Sequence, residues 1–278
     1  MGRTIFFGDR NFDIFDTVVR VANVVPSDYS PLAEMKNLRE LYIIQSDPHG
    51  SLYAGADTDL SPLATLQYLE VLVLQEQPVA DISALQGIET LKRLDLRETR
   101  VRDTAALSDF TSLEELVLRN TAVTDIKPIA ALSNLKKLDI AYTAVTDLSA
   151  LSNLTRLQSL LAEGSQISDV TPLLTLPRLT HFTFHETRLS SLCVISQLKC
   201  FQTAEILDLS GTEVDLLYGI SEAEAVKEVR LYNMKVLSFL PLLSLSKLGV
   251  LRINTHQIPV WQVNILMQHF PDLRIFEY

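Results

Sequence analysis

Two histidines, His181 and His185, lie four positions apart, with Glu163 22 positions before His185 and Glu186 directly after it. Two imidazoles and a carboxylate are a donor set for Zn²⁺ and would make a metal-dependent hydrolase. The spacing argues against it. On one strand, four residues at about 3.3 Å each separate the rings by about 13 Å, too far for one ion. No nucleophile elbow, phosphate loop or Cys-x-x-Cys pair accompanies them. A second set of carboxylates, Asp81, Asp103, Asp125, Asp147 and Asp169, recurs every 22 residues. Each precedes a short segment such as Ile82-Ser83-Ala84-Leu85, where Asp accepts hydrogen bonds from orphan backbone N–H groups. A capping column is therefore expected, not a metal site. The two cysteines, Cys193 and Cys200, are too few for a disulfide framework and are expected as buried free thiols. The expectation is a non-enzyme with no cofactor and no bound metal.

The elements that position these residues are set by a period. Leu-x-x-Leu-x-Leu, or an apolar equivalent, opens at Leu69 and returns at Leu91, Leu113, Leu135, Leu157 and Leu179, each 22 positions on. Weaker copies begin at Asp16, Leu38, Ala204, Val226, Leu248 and Leu273. A period of this length means a solenoid whose units bury their apolar sides against one another. In the unit Leu91–Ser112, Leu94 and Leu96 alternate with Arg93, Asp95 and Arg97, the period of a strand with one buried face. Val101 turns back into the core, and Leu107 and Phe110 close the unit from the opposite wall. Thr99 stands in a polar column, Gln77, Thr99, Thr121, Thr143, Ser165, Thr187 and Thr212, expected to satisfy backbone of the neighbouring coil. The fold class is an α/β solenoid of about twelve turns, a horseshoe with a parallel concave β-sheet and a convex wall of 3₁₀ and short helices.

The units from Leu69 to Leu198 resemble the internalin-like class of 22-residue leucine-rich repeats, most clearly in LSNLKKLDIAYTAVTDLSALSNLTRLQSL, Leu132 to Leu160. The resemblance implies a bacterial protein-binding scaffold that uses its concave face, although eukaryotic phosphatase-regulator repeats share the unit length. Internalins proper are exported, and many carry surface anchors. Here Ile5–Phe7 is too short for a signal-peptide core, and Phe6 occupies the position where myristoylation needs Ser or Thr. The expected location is cytoplasmic, or secreted by a route without a visible signal peptide.

One domain spans 1–278: a cap or irregular first turn over 1–37, repeats over 38–258, and a helix with a last strand over 259–278. An insertion at 46–62 lengthens the step from Leu38 to Leu69 to 31 positions. It is expected to extend the binding surface, with Tyr53 exposed. Pro259 to Phe270 reads as a helix using Val263, Leu266 and Phe270, with Trp261 in the core. A net charge of -10 disfavours nucleic acid and anionic lipid as partners, and no stretch is long enough to span a membrane.

A protein partner is the remaining class. Alternate strand residues project from the concave sheet. Tyr42, Ile44, Val71 and Val73 are expected to form an exposed apolar patch beside the insertion. Arg93, Asp95, Arg97, Arg119, Lys137 and Asp139 form a mixed-charge centre with Tyr142 at its rim, suited to a polar interface. The same charges could instead neutralise one another in cross-strand pairs. A structural role in a larger assembly is the rival reading, and the last strand is expected to offer an edge for self-association.

Overall fold

The computed structural model describes residues 3–45 and 56–277. It opens with an antiparallel pair, β1 (Thr4–Phe7) and β2 (Arg10–Asp13). Ile5 and Phe7 turn into the core, and the Phe7 ring meets Tyr29 edge-on at 5.5 Å. The irregular first unit expected over 1–37 thus contains a hairpin packed on the first coil.

Parallel strands follow at the repeat spacing: β3 (Val18–Ala22), β4 (Glu40–Ile44), β5 (Val71–Gln75), β6 (Arg93–Asp95), β7 (Glu115–Val117), β8 (Lys137–Asp139), β9 (Ser159–Leu161) and β10 (His181–Thr183). A second group contains β11 (Ile206–Asp208), β12 (Glu228–Leu231), β13 (Val250–Ile253) and β14 (Arg274–Glu277). These eight and four strands are the twelve turns expected from the period, but the sheet is broken between β10 and β11. The 25-residue step from Leu179 to Ala204 falls at this break, where a helical turn, α1 (Lys199–Gln202), has been added.

Register is fixed by burial. Leu41, Leu72, Leu94, Leu116, Leu138, Leu160 and Phe182 pair strand to strand in one row. A slip of one residue would turn that row to solvent. The convex wall is built of 3₁₀ turns such as Ala105–Asp109 and Lys127–Ala131. Pro31, Pro62, Pro128, Pro172 and Pro241 stand in the first turn of such segments, where the missing N–H has no partner to lose.

The aspartate column behaves as expected. Asp81, Asp103, Asp125, Asp147 and Asp169 each accept the backbone N–H two residues on, at 2.7–2.8 Å. Asp28 and Asp59 extend the series into the first coils. Backbone N–H donation from Ser83 and Ser149 holds Asp81 and Asp147 below the usual carboxylate range, while the hydroxyl of Thr171 does so first for Asp169. A lowered folded-state value contributes stability that is complete above the unfolded value, near 3.9, and is lost as pH falls through the folded one. Lowering the pH below about 4 should therefore reduce the urea midpoint. Asp→Asn at positions 81, 147 and 169 together keeps the acceptors, removes the titration, and should flatten that acid slope. An unchanged slope would assign acid sensitivity elsewhere.

The threonine column works differently from the expectation. Thr99, Thr121, Thr143, Thr187 and Thr212 donate to the carbonyl three residues earlier in their own coil, at 2.6–2.7 Å, as does Ser165. The left-handed residue between donor and acceptor folds the chain back and brings them together: Glu98, Asn120, Tyr142 and Glu186 all have φ between 52° and 57°.

The C-terminal helix α2 covers Val260–His269. It buries Leu266 and Phe270 and half-buries Val263, as expected, but Trp261 is 55% exposed. The helix phase turns Gln262 inward instead, where its side-chain oxygen accepts the Phe239 N–H at 2.7 Å. Cys200 is buried and Cys193 exposed; both are free thiols, so only one lies where the sequence reading put it. Among the described residues no helix is long and apolar enough to cross a membrane.

Candidate functional site

The concave residues form continuous rows. Tyr42, Val73, Asp95, Val117, Asp139, Leu161 and Thr183 are paired in register across seven strands. Glu40, Val71, Arg93, Glu115, Lys137, Ser159 and His181 make the row beside it. The middle row is largely covered: Val73, Asp95, Val117 and Asp139 are all buried. Neighbouring strands lie only about 4.8 Å apart, and long side chains of the flanking rows close over short ones between them.

This corrects the apolar patch. Val73 is buried, and Tyr42, Ile44 and Val71 are only partly exposed. The Arg20 guanidinium lies 4.5 Å from the centre of the Tyr42 ring and bonds Glu40 at 3.0 Å, roofing the cluster. The described end of the insertion does not cross it. Asp57 pairs with Arg100 at 2.7 Å and the Thr58 N–H reaches Pro78 O, so this end runs along the loops that follow the strands. Tyr53 and the rest of 46–55 lie outside the described residues.

The charged residues share the concave face, and much of their charge is internally paired. Arg97 grips the buried Asp95 with Nε at 2.9 Å and Nη2 at 2.6 Å, and Arg93 reaches the same carboxylate at 3.4 Å. Arg119 bonds Glu163 at 2.7 Å and lies 3.9 Å from Asp139. Burial alone would raise Glu163, but the Thr183 hydroxyl and the Arg119 guanidinium outweigh it and hold the carboxyl low. Asp139 has the opposite balance: burial raises it, and the Ala141 N–H and Arg119 offset this only in part. Lys137 is exposed, its amine 4.0 Å from Glu115.

Tyr142 stands at the end of this network. It is 42% exposed, in a left-handed conformation with φ 54°, and its ring lies under the Arg119 guanidinium at 4.9 Å. The next coil has Gly164 at the equivalent position, where a Cβ would sit 2.4 Å from Tyr142 Cδ1. The ring is therefore held by a cation on one side and a side-chain-free backbone on the other.

The histidines do not form a metal centre. The strand ends at Thr183, so His185 lies beyond it rather than beside His181 on one strand. His181 is exposed and meets Thr180, while Glu163 spends its oxygens on Arg119 and Thr183. Among the described residues no three His, Cys, Asp or Glu side chains group closely enough for a metal.

Two features escaped the sequence reading. A cavity opens at the break between β10 and β11. Its signal was Ala204, which follows an unbroken run of Leu in that column from Leu38 to Leu179. The second is an apolar flank on the last coils: Leu216, Tyr218, Leu237, Val260 and Trp261 are all exposed. Leu216 bridges to Ser238, and the Leu237 N–H bonds Asp215 O, so these coils stack directly. Its signal was the loss of the aspartate column, since Leu216 and Val260 fall where earlier coils carry capping Asp.

A family model described as leucine-rich repeats in two copies matches residues 133–175. No curated protein matches the sequence. Among solved structures, an internalin from Listeria monocytogenes superposes with a TM-score of 0.69 at 21% identity, covering 94% of this chain and 86% of that one. An internalin C2 from the same organism gives 0.58 at 28% identity, with 71% and 79% covered. A leucine-rich repeat protein of Leptospira interrogans gives 0.66 at 17% identity, with 89% and 74% covered. The fold is an internalin-like leucine-rich repeat solenoid, and these neighbours are bacterial, in keeping with the origin the repeat resemblance implies.

Proposed function

We propose that the protein is a non-enzymatic scaffold that binds a protein partner on its concave face, around Arg93, Arg97, Arg119, Lys137 and Tyr142. The observation that carries this reading is Tyr142. An exposed aromatic ring fixed by Arg119 and by Gly164 loses little freedom on binding, and Tyr and Arg are the residues that dominate interface energetics. The paired charges around it suit a polar interface, because they need no partner to neutralise them.

The test begins by crosslinking the protein to its partner in the source cells, then measuring affinity with both components purified. Tyr142→Ala should weaken binding about tenfold or more, the scale of a hot-spot truncation. Ser133→Glu, on the exposed convex side, should leave it unchanged. The reverse pattern would move the interface to the convex wall.

One observation favours a second reading, assembly with a second copy. Leu216, Tyr218, Leu237, Val260 and Trp261 are five exposed apolar side chains on successive stacked coils. The border of this flank carries exposed Glu213 and Asp215 on one coil and exposed Lys235 on the next. Both signs on one border allow a two-fold partner to pair with itself. Light scattering over a concentration series should show a dimer that Trp261→Ser abolishes. Loss of the dimer with Phe276→Asp alone would assign it to the edge of β14, and a monomer at every concentration would refute assembly.

A further inference from the structure

β10 and β11 are consecutive strands of the solenoid, yet they share no ladder. Beyond the break the coils rejoin, where the Glu186 N–H donates to Ser210 O at 2.7 Å. The gap holds a cavity of about 110 Å³. Phe184, Phe201, Ile195 and Leu207, all buried core residues, form its walls. Thr183, His185, Ile206 and Asp208 also line it, and Thr183, Ile206 and Asp208 occupy outward-facing strand positions, so the cavity opens on the concave face.

The void has a specific origin. The first position of the repeat is a buried leucine at Leu69, Leu91, Leu113, Leu135, Leu157 and Leu179, and in the next coil it is Ala204, which lines the cavity. The side chain that fills this layer elsewhere is absent here, and the added turn α1 has not replaced it. Unfilled apolar volume destabilises a protein, because its walls lose packing contacts. Walls of Phe, Ile and Leu offer a small apolar group the packing contacts that they lack when the space is unfilled. At the mouth, Ile206 is exposed, in the row where the adjacent strand carries Glu228. Paired charges line the concave face over β6 to β9, and at the break between β10 and β11 the apolar core is reached from that same face.

We propose that this cavity is an anchor pocket that takes one phenyl-sized aromatic side chain of the partner. The proposal rests on the concave-face reading. Phe182 and Phe184, with ring centres 5.2 Å apart and planes tilted by 40°, offer ring faces and edges to an inserted ring. A ring entering a volume somewhat below that of a known benzene-binding cavity, about 150 Å³, fills it with its stem in the open mouth.

Toluene serves as the probe of the isolated protein. Titration followed by methyl NMR should give saturable shifts at Ile195 and Leu207 and none at the distant Leu94. Ala204→Leu, which restores the leucine column, should abolish those shifts and raise the melting temperature. Absence of saturable shifts in the native protein would overturn the proposal, as would shifts that persist in Ala204→Leu. With the purified partner, Ala204→Leu should weaken binding tenfold or more despite its greater stability. Native affinity in a variant that no longer takes toluene would remove the anchor role. Tyr142→Ala should leave the toluene response intact, so failure of the concave-face reading and failure of the pocket give different results.

Discussion

Replacing Leu116 or Leu138 by alanine should cost about 2–5 kcal/mol, the lost transfer energy plus the cavity left behind. Both side chains are buried, at 0% and 1% exposure, and they face each other across β7 and β8 in the row that fixes register. Neither site can collapse easily. Each leucine is held above and below by the equivalent residue of the adjoining coils, and those coils are pinned by their own ladders. A solenoid passes stability from coil to coil, so the loss should reach the neighbours as well. Urea melts should show the drop in midpoint, and hydrogen exchange should show weakened protection in β6 to β9. A change of melting temperature too small to measure would mean that the register is wrong.

Arg97→Ala should be the most damaging change among the concave charges, at about 2 kcal/mol. Asp95 has a side chain only 2% exposed, and Arg97 supplies its forked pair of hydrogen bonds. Removing one partner of a buried pair costs about 3–5 kcal/mol, because a charge is left without compensation. The smaller figure applies here because Arg93 and the Arg97 backbone N–H still reach Asp95, and because the partly exposed Arg97 is itself stabilised by water. The double variant Asp95→Val with Arg97→Leu should recover native stability or exceed it. Val73 and Val117, the register neighbours of Asp95, show that this row accepts a buried valine. If the double variant is stable and no longer binds, the ion pair serves recognition. If it is as unstable as Arg97→Ala, the ion pair is a structural requirement of the row, and the concave charges lose their strongest support.

The corrections share a cause. Val73 and the threonine column were assigned by position in a repeat and Trp261 by a helix pattern, and either tells at most which way a side chain leaves the backbone, not what closes over it. Val73 leaves toward the concave side and is buried all the same, because neighbouring strands crowd it. Thr99 and its equivalents bond within their own coil because a left-handed residue turns the chain back on itself, and no alternation pattern records a backbone angle. Trp261 is outside because helix phase gave the inward place to Gln262, whose amide oxygen meets a backbone donor of another coil.

The 22-residue period, by itself, determined the solenoid, its twelve turns, the leucine rows and the capping aspartates. Each of these depends on interactions that recur at one fixed spacing, and a spacing is legible in a string of residues. Tertiary structure alone decided which charges cancel, what packs against the Tyr142 ring, and that the sheet opens between β10 and β11. Arg119 meets Glu163 across 44 positions, and Gly164 makes room for a ring 22 positions earlier. The cavity comes from a missing side chain at Ala204 together with an added turn. These contacts depend on where side chains of different coils end in space, and a repeat pattern specifies only where they begin.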